Sequence, residues 1–342
     1  MSFPTTIKAV ALSALGDFDV IKDVEVPFPK PAQNEILVKV AYSGINFIDN
    51  YFRTGIYPVT KFPHVVGVEA SGTIVSLPTD SSITESADYK KRNFKVGAKV
   101  SVASGPSAAE YVSVDWAKVF VVPDNVSLDV AAAANAQGST ALTFVQEAYN
   151  VKAGDTILVH TVAGGLGLLF TQLAKLRGAT VIGTTSTPEK AEIAKANGAD
   201  HVILYKQEDT AKRVLEITNG EGVDVVYDGV GKDTYEIDFE VIKRKGTIVF
   251  VGNASGVVPP ISPLSLAAKN IKLLRPTVRN YIFTAEEFRH YFTELYDLIS
   301  QQKLKILVHK VYPFNAEGVQ QAEKDLTGGK TVGKLLIKVS DD

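Results

Sequence analysis

The chain has 342 residues, 45% of them hydrophobic and 22% charged, with a formal net charge of -2; that length accommodates two domains and a sizeable core, and the near-neutral charge gives no electrostatic reason to expect nucleic acid or an anionic membrane surface. Cysteine is absent, which removes disulfides, thiolate catalysis and every cysteine-ligated metal site and is compatible with a reducing compartment. The N-terminus, MSFPTTIKAV, carries no basic patch before an apolar core, and no stretch approaches the ~20 apolar residues of a membrane span, so the sequence reads as cytoplasmic.

Residues 1 to about 125 are rich in strands and turns: Ile7 to Ala14, Glu35 to Ser43, Ala70 to Leu77, Lys99 to Val102 and Glu110 to Val114, with Pro27, Pro29 and Pro31 punctuating an extended connector. This predicts an all-β domain of barrel or sandwich type. Asp80 to Asn93 is polar, lacks periodicity and carries Lys90-Lys91-Arg92, and reads as a surface loop. From Leu128 to Lys272 helices and strands alternate. A helix over Ala131 to Tyr149 precedes strands Thr156 to His160, Thr180 to Gly183, His201 to Leu204, Val223 to Asp228, Thr247 to Val251 and Ile271 to Leu274. Helices over Leu168 to Arg177, Pro188 to Asn197, Thr210 to Thr218 and Asp233 to Ile242 connect them, a rhythm that describes a doubly wound parallel sheet. In the tail, Thr284 to Glu287 forms a capping box ahead of a helix with Phe288, Phe292, Leu295 and Ile299 on one face. The last strand, Lys334 to Val339, alternates in the half-buried style and is expected to rejoin the first domain. The expected domains are therefore 1–125, 126–272 and a return over 273–342, with a cleft at the boundary as the favoured ligand site.

Thr156 to Lys175 carries the strongest chemical signal. Gly164 and Gly167 occupy the third and sixth positions of the dinucleotide fingerprint, where a missing β-carbon admits a pyrophosphate and lets helix pack close to strand; Val162 stands at the first position. A helix N-terminus there offers N–H groups and a positive dipole end to phosphates, although glycine turns of this kind also occur without ligands. The tip of the next strand reads Thr184-Thr185-Ser186 and lacks the carboxylate that would accept from the ribose of NAD. Hydroxyls there and the Lys190 ammonium suit a 2′-phosphate instead, which leans the reading to NADPH; the competing reading makes Lys190 a solvated helix residue.

Seven segments, GINFIDNYFRTGIYP (44–58), VVGVEASGTI (65–74), AGGLGLLFTQLAK (163–175), VYDGVGKDT (226–234), FVGNASG (250–256), LLRP (273–276) and TVGKLLI (331–337), span nearly the whole chain. In kind and order they resemble the zinc-independent quinone oxidoreductases, the zeta-crystallin branch of the medium-chain dehydrogenase/reductase superfamily. The resemblance implies an α/β protein in which a GroES-like β-barrel domain wraps a Rossmann domain, with NADPH as reductant, quinones as acceptors and a homodimer as the assembly. In the alcohol dehydrogenase branch the segments matching Ser43-Gly44 and Gly67-Val68-Glu69 carry a cysteine and a histidine that bind zinc. Serine is a poor zinc ligand and valine is none, so no metal is expected. His64, His160, His201, His290 and His309 are scattered and read as core or surface histidines.

Without a metal, donors must stabilise the charge that appears on the acceptor oxygen. Segment 44–58 supplies Asn46, Tyr51, Arg53 and Tyr57 as the candidate catalytic set, against the reading of both tyrosines as core aromatics. Carried over position by position, the resemblance puts Phe47, Ile48 and Asp49 beside the cofactor and Thr140 at the carboxamide. It puts Gly164, Gly165, Leu166 and Gly167 at the pyrophosphate, and Thr185, Ser186, Lys190 and Tyr205 around the 2′-phosphate. Gly229, Val251, Gly252, Asn253, Arg275 and Pro276 complete the trough. Where the family often has an arginine ahead of the last strand, this chain has Gly329 and Lys330, with Lys330 a candidate substitute. Gly328 to Lys334 has Walker spacing, but Leu335 replaces the hydroxyl residue and a strand follows, which argues against a nucleoside triphosphate site. The alternatives weighed are an NADPH-dependent alkenal or enone reductase on the same scaffold and a non-enzymatic AU-rich RNA-binding role, the latter with little electrostatic support. The apolar Ile271 to Leu274 strand is a candidate for pairing across a two-fold axis.

Overall fold

The computed structural model describes residues 3–341. In chain order it begins with β1 (Thr6–Leu12), β2 (Ile21–Pro27), β3 (Glu35–Ile45), α1 (Phe47–Arg53), β4 (His64–Val65), β5 (Ala70–Ser76), α2 (Ser81–Thr84), α3 (Ala87–Lys91), β6 (Lys99–Val102), β7 (Tyr111–Asp115), β8 (Val119–Val121) and α4 (Leu128–Thr143). Next come β9 (Thr156–Val159), α5 (Gly165–Leu176), β10 (Thr180–Thr185), α6 (Pro188–Ala196), β11 (His201–Leu204), α7 (Thr210–Ile217), β12 (Val223–Asp228), α8 (Tyr235–Val241), β13 (Ile242–Phe250), β14 (Lys272–Leu274) and α9 (Val278–Tyr281). The chain closes with α10 (Ala285–Ser300), β15 (Val308–Pro313), α11 (Ala316–Thr327) and β16 (Lys334–Lys338).

These elements pack as two compact units, one reaching Ser139 and resuming at Ile282, the other covering Thr140–Tyr281. The divisions expected near residues 125 and 272 therefore both move toward the C-terminus. Most of α4 belongs to the first unit, because Ala132 and Ala133 pack on Leu336 and the Tyr296 hydroxyl donates to the Ala131 carbonyl at 3.3 Å. At the other end β14 completes the second unit's sheet, and Tyr281 meets the Phe144 ring edge-on with centroids 5.9 Å apart. The helix expected to run to Tyr149 leaves α geometry after Thr143 and finishes as a π-helical turn, Phe144–Ala148.

The first unit is largely antiparallel, as its alternating strands predict. A seven-stranded sheet runs β15-β16-β3-β5-β6-β8, with β7 also on β3, and a smaller one runs β2-β1-β4. Ile36, Val38 and Val40 meet Val100, Val102, Val112 and Val119 inside the larger sheet. As expected, the last strand returns to this unit, β16 pairing antiparallel with β3 so that Leu336 lies opposite Gly44. Its half-buried alternation does not hold: Lys334, Leu335, Leu336 and Ile337 are all buried. Leu335 and Ile337 join Val319 and Ala322 of α11, while Leu336 joins Ala132 and Ala133 of α4, so both faces are covered.

The segment from Asp80 to Asn93 is not a plain loop. Asp80 accepts the Ser82 N–H at 2.9 Å and caps α2, and Ser86 accepts the Tyr89 N–H at 3.2 Å and caps α3. Arg92 is buried over the Trp116 ring, 4.8 Å from its centroid, and donates to the Ala285 carbonyl at 2.6 Å.

The second unit is the predicted parallel sheet, in the order β11-β10-β9-β12-β13-β14. The order reverses beside β9, so the carboxyl ends of β9 and β12 form the switch point where doubly wound sheets take ligands. Among the described residues no helix is long and apolar enough to cross a membrane.

Candidate functional site

In the second unit the turn between β9 and α5 is held by backbone geometry. Thr161 has φ +55°, and the Gly164 N–H donates to its carbonyl at 2.8 Å. A β-carbon on Gly167 would lie 2.5 Å from that same carbonyl, and one on Gly183 would lie 2.5 Å from the Val162 side chain, so helix, turn and strand approach too closely for any other residue. Gly164 is the N-cap of the twelve-residue α5 and provides no side-chain cap. The first-turn N–H groups of Gly165, Leu166 and Gly167 are thus left for an external acceptor, which is what a pyrophosphate requires.

Beside this turn, β10 and β11 run parallel with Thr185 opposite Leu204, and the Tyr205 N–H donates to the Thr185 carbonyl at 3.1 Å. That register brings Thr185, Ser186 and Tyr205 to one sheet end. Thr187 caps α6 by accepting the Lys190 N–H at 3.4 Å, which starts the helix that carries Lys190. Partial burial, then the nearby Lys206 charge, hold the Lys190 ammonium below the usual lysine range. An anion between two such cations would relieve that pressure.

At the end of β12, the Asp228 carboxylate accepts from the N–H groups of Val230 at 2.7 Å and Gly231 at 3.1 Å and from the Thr234 hydroxyl at 2.8 Å. It thereby shapes the turn around Gly229, whose β-carbon position is open, while a β-carbon on Gly252 would meet the Gly229 carbonyl at 2.7 Å. The Val251 N–H donates to the Asp228 carbonyl at 2.6 Å, and the Asn253 carbonyl accepts from Gly256. Arg275 and Pro276 follow β14, with the Arg275 guanidinium 3.3 Å from the Pro276 carbonyl. Thr140 lies in the last turn of α4 and accepts from the Thr143 hydroxyl at 3.3 Å.

Sequence reasoning missed what supports the turn from below. His160, a core histidine, contacts the Asp238 carboxylate through Nε2 at 2.9 Å and the Thr184 hydroxyl through Nδ1 at 3.1 Å, tying β9 to β10 and α8. Burial opposes the charged imidazole but Asp238 more than offsets it, so His160 titrates above its ordinary range.

In the first unit, α1 begins at Asn46. Asp49 accepts the Asn46 N–H at 2.8 Å and the Gly67 N–H at 3.0 Å, so its fully buried carboxylate holds backbone. Phe47 and Ile48, on the same first turn, are half-buried. The Asn46 side-chain amide donates to Glu69 Oε1 at 2.7 Å and accepts from Lys334 Nζ at 2.5 Å; Lys334 is also 2.5 Å from Glu69 Oε1. The Ala136 N–H donates to the other Glu69 oxygen. Neither Glu69 nor Lys334 is among the candidate site residues of the sequence, where Glu69 figures only in the segment compared with the zinc branch and Lys334 only in the rejected Walker spacing. The lysine considered there, Lys330, is exposed, and the buried cation lies four residues on.

Tyr57 is half-buried, with its ring 5.3 Å from that of the buried Tyr51 and 6.0 Å from that of Phe52; Tyr51 in turn lies 6.4 Å from Phe47. Arg53 has a different occupation from the one expected. It is 3% exposed and donates to Glu323 at 2.7 Å, the Gly16 carbonyl at 2.8 Å and Asn50 at 2.6 Å, beneath the Phe18 ring. A guanidinium so engaged ties α1 to α11 instead of facing an acceptor.

Around the positions compared with zinc ligands, the Ser43 and Ser107 hydroxyls lie 2.9 Å apart, both fully buried. A β-carbon on Gly67 would come within 2.3 Å of the Ser107 oxygen, so the space is closed by hydroxyls and glycine. Among the described residues no three histidine, aspartate or glutamate side chains gather as a metal site.

A family model described as an alcohol dehydrogenase GroES-like domain matches residues 32–124, and one described as a zinc-binding dehydrogenase matches residues 165–301. A probable quinone oxidoreductase of Schizosaccharomyces pombe is 37% identical over 97% of this chain and 97% of its own length. A 2-haloacrylate reductase of a Burkholderia species is 33% identical over 93% of this chain and 94% of its own. Two solved structures, a mycobacterial protein complexed with NADPH and the Escherichia coli quinone oxidoreductase complexed with NADPH, each superpose with a TM-score of 0.90. They are 38% and 33% identical, and each comparison covers 97% of this chain and 99% of the other.

Proposed function

Because this chain belongs to the quinone oxidoreductase family of the medium-chain dehydrogenase/reductase superfamily, we propose that it reduces quinones with NADPH and without a metal. NADPH, when bound, supplies the hydride. The acceptor takes that hydride and a proton, and aromatisation drives the reaction, so modest donors at the acceptor oxygen suffice. The first-turn N–H groups of α5 receive the pyrophosphate, Thr185, Ser186, Lys190 and Tyr205 surround the 2′-phosphate, and the open space at Gly229 leaves room for the cofactor's path. Asn46 and Tyr57 are the half-buried donors of the first unit, and they stabilise charge on the acceptor oxygen, a role that is worth ~3–4 kcal/mol for a well-placed donor.

The observation that carries the metal-free part is Ser43 and Val68 standing where the zinc branch has thiolate and imidazole, with the Ser43 hydroxyl 2.9 Å from that of Ser107: a hydroxyl is too weak a ligand to hold a Lewis acid and a valine is none. A second reading, reduction of an alkene conjugated to a carbonyl, draws on the 2-haloacrylate reductase relative. Turnover of 9,10-phenanthrenequinone and of an α,β-unsaturated aldehyde, compared at equal NADPH, separates the two. Preference for the quinone supports the proposal, and preference for the aldehyde replaces it with the second reading. The proposal includes a cytoplasmic setting and a homodimer paired through β14, the last strand of its sheet; light scattering that shows a monomer removes the homodimer.

A further inference from the structure

Glu69 and Lys334 form an ion pair with 0% and 1% of their surfaces exposed, and both grip one half-buried side chain, that of Asn46. An asparagine amide is nearly symmetrical in shape, so packing alone does not decide which end is oxygen. Here chemistry decides. A lysine ammonium can only donate, which assigns the atom 2.5 Å from Lys334 Nζ as Oδ1, and a carboxylate can only accept, which assigns the atom 2.7 Å from Glu69 Oε1 as Nδ2. One Nδ2 hydrogen is taken by Glu69, and among the described residues the other has no protein acceptor.

The surroundings are built for this clamp. A β-carbon on Gly44 would lie 2.3 Å from Glu69 Oε1, so glycine is required where the carboxylate passes, and Ala136 N–H satisfies Oε2. A buried ion pair is generally no more stabilising than apolar side chains of similar volume. What this pair adds over such side chains is direction. We infer that Glu69 and Lys334 are positioning residues that lock the Asn46 amide with its second Nδ2 hydrogen presented to the acceptor oxygen. The inference rests on the reading of the protein as a reductase of carbonyl-bearing acceptors and extends it to two residues outside the candidate donor set.

The test is a cycle of wild type, Glu69→Gln/Lys334→Met, Asn46→Ala and the triple variant. The double variant keeps the volume of both side chains but lets the Asn46 amide rotate. The expected result is a fall in kcat of about tenfold or more in the double variant and in Asn46→Ala, with the triple variant no slower than Asn46→Ala and NADPH affinity by fluorescence within about twofold throughout. Wild-type kcat in a folded double variant, or effects that multiply in the triple, overturns the inference. Each measurement is made with phenanthrenequinone and with an α,β-unsaturated aldehyde, so a failure of the quinone reading appears in the wild type and a failure of the clamp appears in the variants. A second readout needs neither turnover nor a stable variant. In 15N-labelled wild type, one of the two Asn46 side-chain amide protons should be protected from solvent exchange by its bond to Glu69, and fast exchange of both overturns the clamp.

Discussion

At the scale of single residues, Asp49 places a titratable group under opposing influences. Burial, reinforced by the Glu323 charge, pushes it up to about 7, against the pull of the Asn46 and Gly67 N–H groups; the unperturbed value is 3.8. Between about 4 and about 7 the folded state holds a proton that the unfolded chain has released. Its contribution to stability therefore falls as pH rises through that window and is level above it. The unfolding free energy of wild type minus that of Asp49→Asn should decline across the window, by no more than ~1.4 kcal/mol per pH unit; a difference that does not change with pH contradicts the assignment. Lys190 offers a second test. Lys190→Ala should weaken NADPH by ~1–3 kcal/mol, the scale of a charge-assisted hydrogen bond, and leave NADH nearly unaffected in a fluorescence titration. Equal losses would show that Lys190 does not read the phosphate. Asn46, Tyr57 and Lys190 could be singled out in the sequence as candidates because their types and segments advertise chemistry. Lys334 and Glu69 could not, because their importance lies in a contact between residues 265 positions apart in a chain that gives no local sign of it.

At the scale of elements, the β9–α5 turn is defined by close approach. With a Gly167 β-carbon only 2.5 Å from the Thr161 carbonyl, Gly167→Ala must move backbone. We expect it to lower stability by at least ~1–3 kcal/mol, the range for overpacking, and to lose NADPH affinity as the first turn of α5 shifts. Thermal unfolding and NADPH titration of one preparation check both effects, and an alanine variant that matches wild type in both would show that the turn tolerates the atom. The parallel strands and amphipathic helices of the second unit were readable from periodicity alone. The four- and five-residue α2 and α3 were not, since neither completes enough turns to show a period, although their caps Asp80 and Ser86 were visible. Strand β16 was located correctly and its burial misjudged, because the covering of its second face by α4 is a tertiary fact that a half-buried pattern does not disclose.

At the scale of the whole molecule, the chain leaves its first unit after Ser139 and returns at Ile282, and β16 closes onto β3 after the nucleotide-binding sheet has been completed. The same excursion and return separates the two proposed sites: the candidate hydroxyl and amide donors lie on one unit, and the turn proposed to receive phosphate lies on the other. The claim that binds them is that this pairing reduces quinones with NADPH and needs no metal. Its most direct test is NADPH oxidation by 9,10-phenanthrenequinone before and after exhaustive dialysis against a chelator, with metal content measured on the same samples. Undiminished turnover in the metal-free protein is the predicted result. Loss of turnover on chelation that zinc restores would contradict it.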